Sequence, residues 1–216
     1  MRKVIAYIDG FSLYHALHDL RKPYLKWLNL WDLMESLLHE DEELISVFYF
    51  SAFATWRKDS VKRHKVYVQA LENTGTTPIM GHFKQKIRSC KKCRDQWIDH
   101  EEKETDVNIA ISMLRDAYEE RFDRAVIVTS DSDLVPVIKA INSRFPEKSI
   151  LVATPPKRHE LSRDLRVHAK SYSLTPGRIK NHLFSKLEKS DDGTLEITRP
   201  DEYRPPPIER KEERIH

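Results

Sequence analysis

Short apolar runs alternate with amphipathic helical patterns over the first 175 residues, and this alternation limits the possible folds more than any other feature. Mostly apolar runs at about 4–8, 44–50, 125–129 and 149–153 predict strands buried on both faces, with shorter strands at 78–83 and 167–174. Apolar residues recur at helical spacing around 30–37, 107–118 and 134–141, and a basic helix is predicted at 59–72. This order predicts an α/β fold with a doubly wound, mainly parallel sheet.

The length and composition fit one domain with a short appendage. Of 216 residues, 33% are charged and 39% are hydrophobic, which is typical of a globular protein. No apolar stretch is as long as a membrane span, and residues 1–9 do not resemble a signal peptide, so we expect a cytoplasmic protein. We place the domain at 1–175 and an extension at 176–216, in which proline and charge predict disorder after about residue 190.

Four aspartates end predicted strands or begin a predicted helix. Asp9 ends the first strand, Asp131 and Asp133 follow the strand at 125–129, and Asp106 lies in the first turn of the helix at 107–118. Because ligands of an open α/β sheet bind beyond the carboxyl ends of its strands, we expect these acids to meet. Clustered carboxylates favour Mg²⁺ or Mn²⁺. Taken singly, Asp131 and Asp106 have a simpler explanation as helix-capping or helix-dipole residues, and Asp133 as a supporting group.

Two basic runs accompany the acids. The candidates for binding a phosphate backbone are Arg57, Lys58, Lys62, Arg63, Lys84, Lys86, Arg88, Lys91 and Lys92. Trp56, Phe83 and Trp97 flank these runs, and such a mixture suits single-stranded nucleic acid. The alternative is an ordinary solvated surface, because the formal net charge is only +3. We interpret the segment at about 84–103 as a long insertion or an irregular hairpin beside the site.

The two cysteines form a CxxC pair, Cys90 and Cys93. A structural zinc site needs four ligands, and His82 and His100 flank the pair at a spacing that could complete one. The alternatives are a zinc ion shared across a homodimer, two free thiols, and a disulfide or redox role. Nothing in the sequence decides among them.

Three segments resemble the motifs of one family. Residues 7–14 (YIDGFSLY), 102–107 (EKETDV) and 129–134 (TSDSDL) are similar, in order and spacing, to the NYN domain of the PIN-like nuclease superfamily, especially its LabA-like branch. The resemblance covers residues 3 to 175 and implies a PIN-like three-layer α/β/α sandwich, a divalent metal and single-stranded RNA as the substrate. It also implies that Asp9, Asp106 and Asp131 are metal ligands, assisted by Asp133. The chain departs from the family at Ser12, where Asn is usual.

The acids and this resemblance together predict a metal-dependent ribonuclease. In this hypothesis the metal activates water for attack on an RNA phosphodiester, and Ser12 positions the phosphate or the water. The alternative is a regulatory module that binds RNA or protein on the same fold without turnover. The sequence lacks a GxGxxG motif, a P-loop and a GxSxG elbow, and a DxD phosphatase motif fails at Phe11.

Overall fold

The computed structural model describes residues 1–190 and 196–207. The strands within these residues are β1 (Arg2–Asp9), β2 (Glu42–Ser51), β3 (Thr77–Met80), β4 (His82–Ser89), β5 (Gln96–Lys103), β6 (Arg124–Val128), β7 (Ser149–Thr154), β8 (Lys170–Ser173), β9 (Leu187–Lys189) and β10 (Glu196–Thr198). The α-helices are α1 (Gly10–Asp19), α2 (Leu30–Glu35), α3 (Lys58–Asn73), α4 (Thr105–Tyr118), α5 (Val135–Arg144), α6 (Arg163–His168) and α7 (Pro176–Asn181). Short 3-10 helices occur at Pro23–Lys26, Ser132–Leu134, Glu160–Ser162 and Asp201–Tyr203.

Six strands form one parallel sheet in the order β3-β2-β1-β6-β7-β8. The order reverses direction at β1, since the chain first builds outward through β2 and β3 and then returns to the other side of β1 with β6. In such sheets the crevice at the carboxyl ends of the two strands that flank the reversal is the usual ligand site. The predicted parallel α/β sheet is confirmed.

Two hydrophobic cores lie on opposite faces of this sheet. Along β1, Val4, Ala6 and Ile8 belong to one core and Ile5 and Tyr7 to the other, because side chains alternate along a strand. The first core includes residues of α1, α2, α3 and α7, and the second includes residues of α4, α5 and α6. The fold is therefore the three-layer α/β/α sandwich that the family resemblance implied. No described helix combines the length and apolar character that a membrane crossing requires.

The segment predicted as an insertion or irregular hairpin is a regular antiparallel hairpin. Strands β4 and β5 pair over eight consecutive positions, from His82 opposite Lys103 to Ser89 opposite Gln96. The CxxC pair lies at the turn, and the hairpin base leads from β3 on one side and into α4 on the other. Cross-strand ion pairs such as Arg88 with Asp99, at 3.2 Å, accompany the ladder.

Several local predictions differ from the structure. The strand predicted at 78–83 is split at Gly81, where a Cβ atom would lie 2.5 Å from the Lys103 carbonyl oxygen. The strand predicted at 167–174 begins only at Lys170, because residues up to His168 complete α6. Helices α1, α6 and α7 were not predicted. Each is short, and the apolar stripe of α1 overlaps the motif that follows the first strand.

The prediction of disorder after about residue 190 is wrong for residues 196–207. Ile197 is 3% exposed and belongs to the first core, and β10 pairs with β9. The Tyr203 ring lies 6.5 Å from that of Trp27, centroid to centroid, and Glu202 forms a 2.8 Å ion pair with Arg63. The proline-rich composition did not predict these contacts because each of them is made by a single residue. Residues 191–195 and 208–216, which the disorder prediction also covers, lie outside the described residues.

This packing makes Ile197 a test of whether the C-terminal segment belongs to the fold. We expect Ile197→Ala to lower the free energy of unfolding by about 2–5 kcal/mol, as buried Ile-to-Ala changes do. Thr198→Ala, at an exposed position of the same strand, is the matched control and should change it little. Urea denaturation of both variants measures the difference, and equal midpoints would show that the segment does not stabilise the core.

Candidate functional site

The predicted acids meet in a cleft at the carboxyl edge of the sheet. Asp9 is the last residue of β1, Asp131 follows β6, and Asp106 lies in the first turn of α4. The cleft has a volume of about 710 Å³, and these three aspartates contribute to its lining together with Ser12 and Glu102. The parallel arrangement of β1 and β6 explains the convergence, since it brings their carboxyl ends to one edge.

Asp9 is buried and forms hydrogen bonds with residues that follow β1 and β6. It is 4% exposed, and its two carboxylate oxygens accept hydrogen bonds from the Ser12 backbone N–H (2.9 Å) and the Thr129 hydroxyl (2.8 Å). Burial raises the pKa of Asp9, while these hydrogen bonds oppose the rise. The next residue must be glycine, because a Cβ on Gly10 would lie 2.6 Å from the Phe50 carbonyl oxygen.

Three carboxylates crowd together near Asp9. One oxygen from each of Asp106, Asp131 and Asp133 lies within 4.8 Å of the others. Burial, with added repulsion from Asp9 and Asp131, raises the pKa of Asp106 to about 6. Asp106 is therefore harder to ionise in the folded protein than an ordinary aspartate.

This donor set fits a hard divalent cation. Carboxylate oxygens are the ligands that Mg²⁺ and Mn²⁺ prefer, and no described basic residue forms an ion pair with Asp106, Asp131 or Asp133. The grouping differs from the ligand set that the resemblance implied. Asp133 stands with Asp106 and Asp131, whereas Asp9 lies beside them with both oxygens already hydrogen-bonded. Assignment of individual ligands stays a prediction.

The two strand-end loops are tied together by hydroxyl groups. The Ser12 hydroxyl lies 2.8 Å from that of Ser130 and accepts a 2.9 Å hydrogen bond from the Ser130 backbone N–H. The Thr129 hydroxyl accepts a bond from the Asp131 N–H at 3.0 Å, and Asp131 caps the short helix after it by accepting from the Asp133 N–H. The capping explanation of Asp131 is thus correct and compatible with its place in the acidic cluster. For Ser12, the observed partner is Ser130, and contact with substrate stays a prediction.

Sequence reasoning missed Glu102, Thr129 and Ser130. Glu102 lines the cleft, accepts hydrogen bonds from the Thr105 backbone N–H (3.0 Å) and hydroxyl, and adds to the repulsion that raises the pKa of Asp106. It lies four residues before Asp106, inside the second family motif. That position was a signal for the site, but the sequence alone did not distinguish Glu102 from an ordinary surface acid. Thr129 and Ser130 stand between β6 and Asp131, where short polar side chains reach a neighbouring strand end.

The predicted phosphate-binding residues separate into three groups. Arg57 lines the cleft, and Lys58 and Lys62 are exposed on α3 nearby. Three others are neutralised in ion pairs: Arg63 with Glu202, Lys86 with Glu101, and Arg88 with Asp99. The remaining ones, Lys84, Lys91 and Lys92, are exposed on the hairpin. Exposed ion pairs of this kind are weak, so they leave the side chains available to a polyanion.

The proposed zinc site of Cys90, Cys93, His82 and His100 is wrong. The ladder places His82 at the hairpin base, eight residues from Cys90, which at the rise of a strand is roughly 26 Å away. His100 pairs with Gln85 and lies roughly 16 Å from the turn by the same rise. Four zinc ligands must surround one ion at about 2.0–2.3 Å. Cys90 and Cys93 form no disulfide in the structure, and His100 instead stacks on Trp56. Zinc shared across a homodimer and free thiols both stay predictions.

Comparisons with known proteins agree with this fold. The chain is 28% identical over 195 aligned residues to 6-hydroxy-3-succinoylpyridine 3-monooxygenase HspA of Pseudomonas putida, and the match covers 74% of this chain but only 62% of that protein. A crystal structure of a Vibrio parahaemolyticus protein of unknown function matches with a TM-score of 0.54 and 17% identity, over 85% of this chain and 96% of that one. The second likeness shows the fold alone.

The family assignment rests on a longer match. The model of the NYN domain matches residues 3–174, which is most of the chain and includes all three motifs and every acid of the cleft. The six-stranded parallel sheet and the acidic cluster at its carboxyl edge are the structural counterpart of that match. The chain belongs to the NYN domain family.

Proposed function

We propose that this protein is a metal-dependent ribonuclease that hydrolyses phosphodiester bonds of single-stranded RNA. The observation that supports it most is the cluster of three carboxylates within 4.8 Å, unpaired with any described cation, two of which (Asp106 and Asp131) line the cleft of an NYN domain. Repulsion among these groups costs stability, and such a cost is typical of a site retained for binding a cation. A cytoplasmic location and a homodimer stay predictions from the sequence.

The aspartates of the site have different roles according to their positions. Asp106, Asp131 and Asp133 would hold Mg²⁺ or Mn²⁺, which when bound lowers the pKa of water and stabilises charge on the phosphate. Asp9 is buried beside them, and its hydrogen bonds to Ser12 and Thr129 fix the first turn of α1 and the segment that leads to Asp131. We assign Asp9 a positioning role for that reason.

The walls of the cleft suit an extended polyanion. Arg57 lines it directly, and the exposed Lys58 and Lys62 continue the positive surface along α3. Cations at successive positions bind the backbone of a nucleic acid without reading its sequence, and the binding weakens as salt rises. Lys84, exposed near the base of the hairpin, adds a further cation next to Phe83 in the chain.

The function is tested by incubating the purified protein with labelled single-stranded RNA and, separately, with the same RNA in a duplex. We expect cleavage of the single strand with Mn²⁺ or Mg²⁺ and none with EDTA. RNA binding with salt dependence but no cleavage under any metal would overturn the nuclease proposal and favour a binding module on the same fold.

A second candidate comes from the relative whose name states an activity on a substituted pyridine. A cleft of about 710 Å³ with aromatic walls is also the size of a small-molecule site, so a small heteroaromatic acid could occupy it. The chain spans 62% of that relative, so its activity does not transfer with the match. Titration with 6-hydroxy-3-succinoylpyridine, followed by tryptophan fluorescence, distinguishes the two, since a ribonuclease should show no saturable change.

A further inference from the structure

Four aromatic rings form a continuous wall along one side of the cleft. The Trp56 indole stacks on the His100 imidazole, with centroids 3.6 Å apart and an interplanar angle of 12°. Phe83 meets Trp56 edge-on at 4.7 Å, and Phe11 meets Phe83 edge-on at 5.6 Å. All four residues line the same cleft as the acids, and we call them the aromatic wall.

The aromatic wall is not part of the hydrophobic cores. None of its residues belongs to either core cluster of the described chain, and Trp56 exposes 37% of its surface although its ring is large enough to fill a core position. Large apolar side chains that stay exposed inside a cleft commonly contact a ligand. His100 stacks on one face of the indole, so the exposed 37% of Trp56 is the surface that a planar ring can use.

The wall is attached to the acidic cluster at two points of the chain. Phe11 lies in the first turn of α1, between Asp9 and Ser12. His100 lies on β5, which leads directly into the first turn of α4 and Asp106. Glu102 fixes that junction by accepting hydrogen bonds from Thr105. The distance between wall and acids is therefore set by two short, hydrogen-bonded connections.

We propose that the aromatic wall stacks a nucleobase of the RNA next to the phosphate held at the acids. The inference rests on the proposed function and adds the part of the substrate that is recognised. Every base offers a π-face, so stacking on Trp56 tolerates all sequences, while Arg57 beside it in the chain supplies a cation for the adjoining phosphate. A base can reach the wall only when it is unpaired, so this contact selects single-stranded over double-stranded RNA.

The test measures binding, not cleavage. The Asp131→Asn background keeps the RNA intact, which a gel verifies, and the anisotropy of a labelled oligoribonucleotide reports affinity. We expect Trp56→Ala to weaken binding roughly 5- to 150-fold, the range found when a stacking ring is removed, and Trp56→Phe to weaken it less. Tyr118→Ala removes an exposed ring from the far end of α4 and is the matched control, expected to change affinity less than about twofold.

A set of oligomers with one abasic site at successive positions then identifies the stacked base. One position should weaken binding to the protein with Trp56 and have no further effect on Trp56→Ala, because each change removes the same contact. Additive losses, or no loss from Trp56→Ala, would overturn the proposal. Trp56→Leu, which keeps an apolar side chain but no ring, is the second variant if Trp56→Ala loses its cooperative melt, and it should show the same coupling.

These outcomes are separate from those of the nuclease test. Coupling between Trp56 and one base, without cleavage by the unaltered protein, would support base stacking on the aromatic wall and contradict the nuclease proposal. Cleavage of single-stranded RNA without coupling would contradict base stacking on the wall and support the nuclease proposal. Failure of the oligomer to bind at all would overturn the proposal of base stacking on the wall.

Discussion

Replacing Asp106 with asparagine is expected to lower RNA cleavage roughly 100-fold or more, and to raise the melting temperature at neutral pH. Loss of a residue that merely supports a metal ligand costs 10- to 100-fold, so loss of a ligand should cost at least the upper value. The stability change has the opposite sign because burial and the neighbouring aspartates raise the pKa of Asp106 to about 6. A raised carboxyl pKa means that ionisation opposes folding.

The pH dependence of that gain follows from the same shift. The ionised Asp106 disfavours the folded state above about pH 6, and the effect disappears as pH falls through 6 toward the ordinary value of 3.8. The melting temperature of Asp106→Asn should therefore exceed that of the unaltered protein at pH 7.5 and approach it near pH 4.5. Mn²⁺ should raise the melting temperature of the unaltered protein and affect the variant less. Asp41→Asn, an exposed acid at the opposite edge of the sheet, is the control, and equal melting temperatures for both variants would contradict the crowding of carboxylates.

Asp116→Ala is expected to lower the free energy of unfolding by about 3 kcal/mol. Asp116 is fully buried on α4 and accepts hydrogen bonds from the Tyr7 hydroxyl at 2.8 Å and from Arg121 Nη1 at 2.7 Å, with Arg115 at 3.3 Å. Removing one partner of a buried ion pair typically costs 3–5 kcal/mol. The lower end applies because the Arg121 and Arg115 side chains are 36% and 49% exposed and regain water, whereas the Tyr7 hydroxyl stays buried without an acceptor.

Urea denaturation of Asp116→Ala, with Tyr7→Phe as its partner, measures this network. Tyr7→Phe removes the hydroxyl group that donates a hydrogen bond to Asp116. The free energy of unfolding of the double variant should therefore fall by less than the sum of the two single losses. A loss below 1 kcal/mol for Asp116→Ala would show that the arginines and the tyrosine find other partners. Cleavage activity should follow the folded fraction, since Asp116 does not line the cleft.

The parallel sheet and the meeting of the acids were predictable from the sequence for one physical reason. Strands buried on both faces leave nearly uninterrupted apolar runs, and each run ends abruptly at an acid or a polar turn. The ends of these runs predict the positions of Asp9 and Asp131. The order of the strands did not follow from the runs, but parallel pairing alone suffices to bring their carboxyl ends together.

The grouping within the site was less predictable because it depends on angles at the strand ends. The sequence could not show that Asp9 accepts hydrogen bonds from Ser12 and Thr129. Nor could it show that the Asp133 carboxylate lies close to those of Asp106 and Asp131. A carboxylate at the end of a buried strand looks the same whether it faces an ion or two hydrogen-bond donors.

The regularity of the hairpin and the packing of the C-terminal segment were not predicted, for a different reason. Both are rich in charged residues, so their composition reflects the side chains that face solvent. Their contacts with the rest of the protein are made by only a few side chains. His100 and Phe83 join the aromatic wall from the hairpin, and Ile197 joins the core from the tail. Single anchors have no periodicity, so a pattern search cannot find them.

The most direct test of the central claim is the rate of single-stranded RNA cleavage over a Mn²⁺ titration, for the unaltered protein and for Asp131→Asn. We predict that the rate of the unaltered protein rises with Mn²⁺ to saturation and is abolished by EDTA. Asp131→Asn should keep its cooperative melt and its RNA affinity but lose cleavage at every Mn²⁺ concentration. Cleavage that persists in EDTA, or that survives in Asp131→Asn, would contradict a metal-dependent site at these carboxylates.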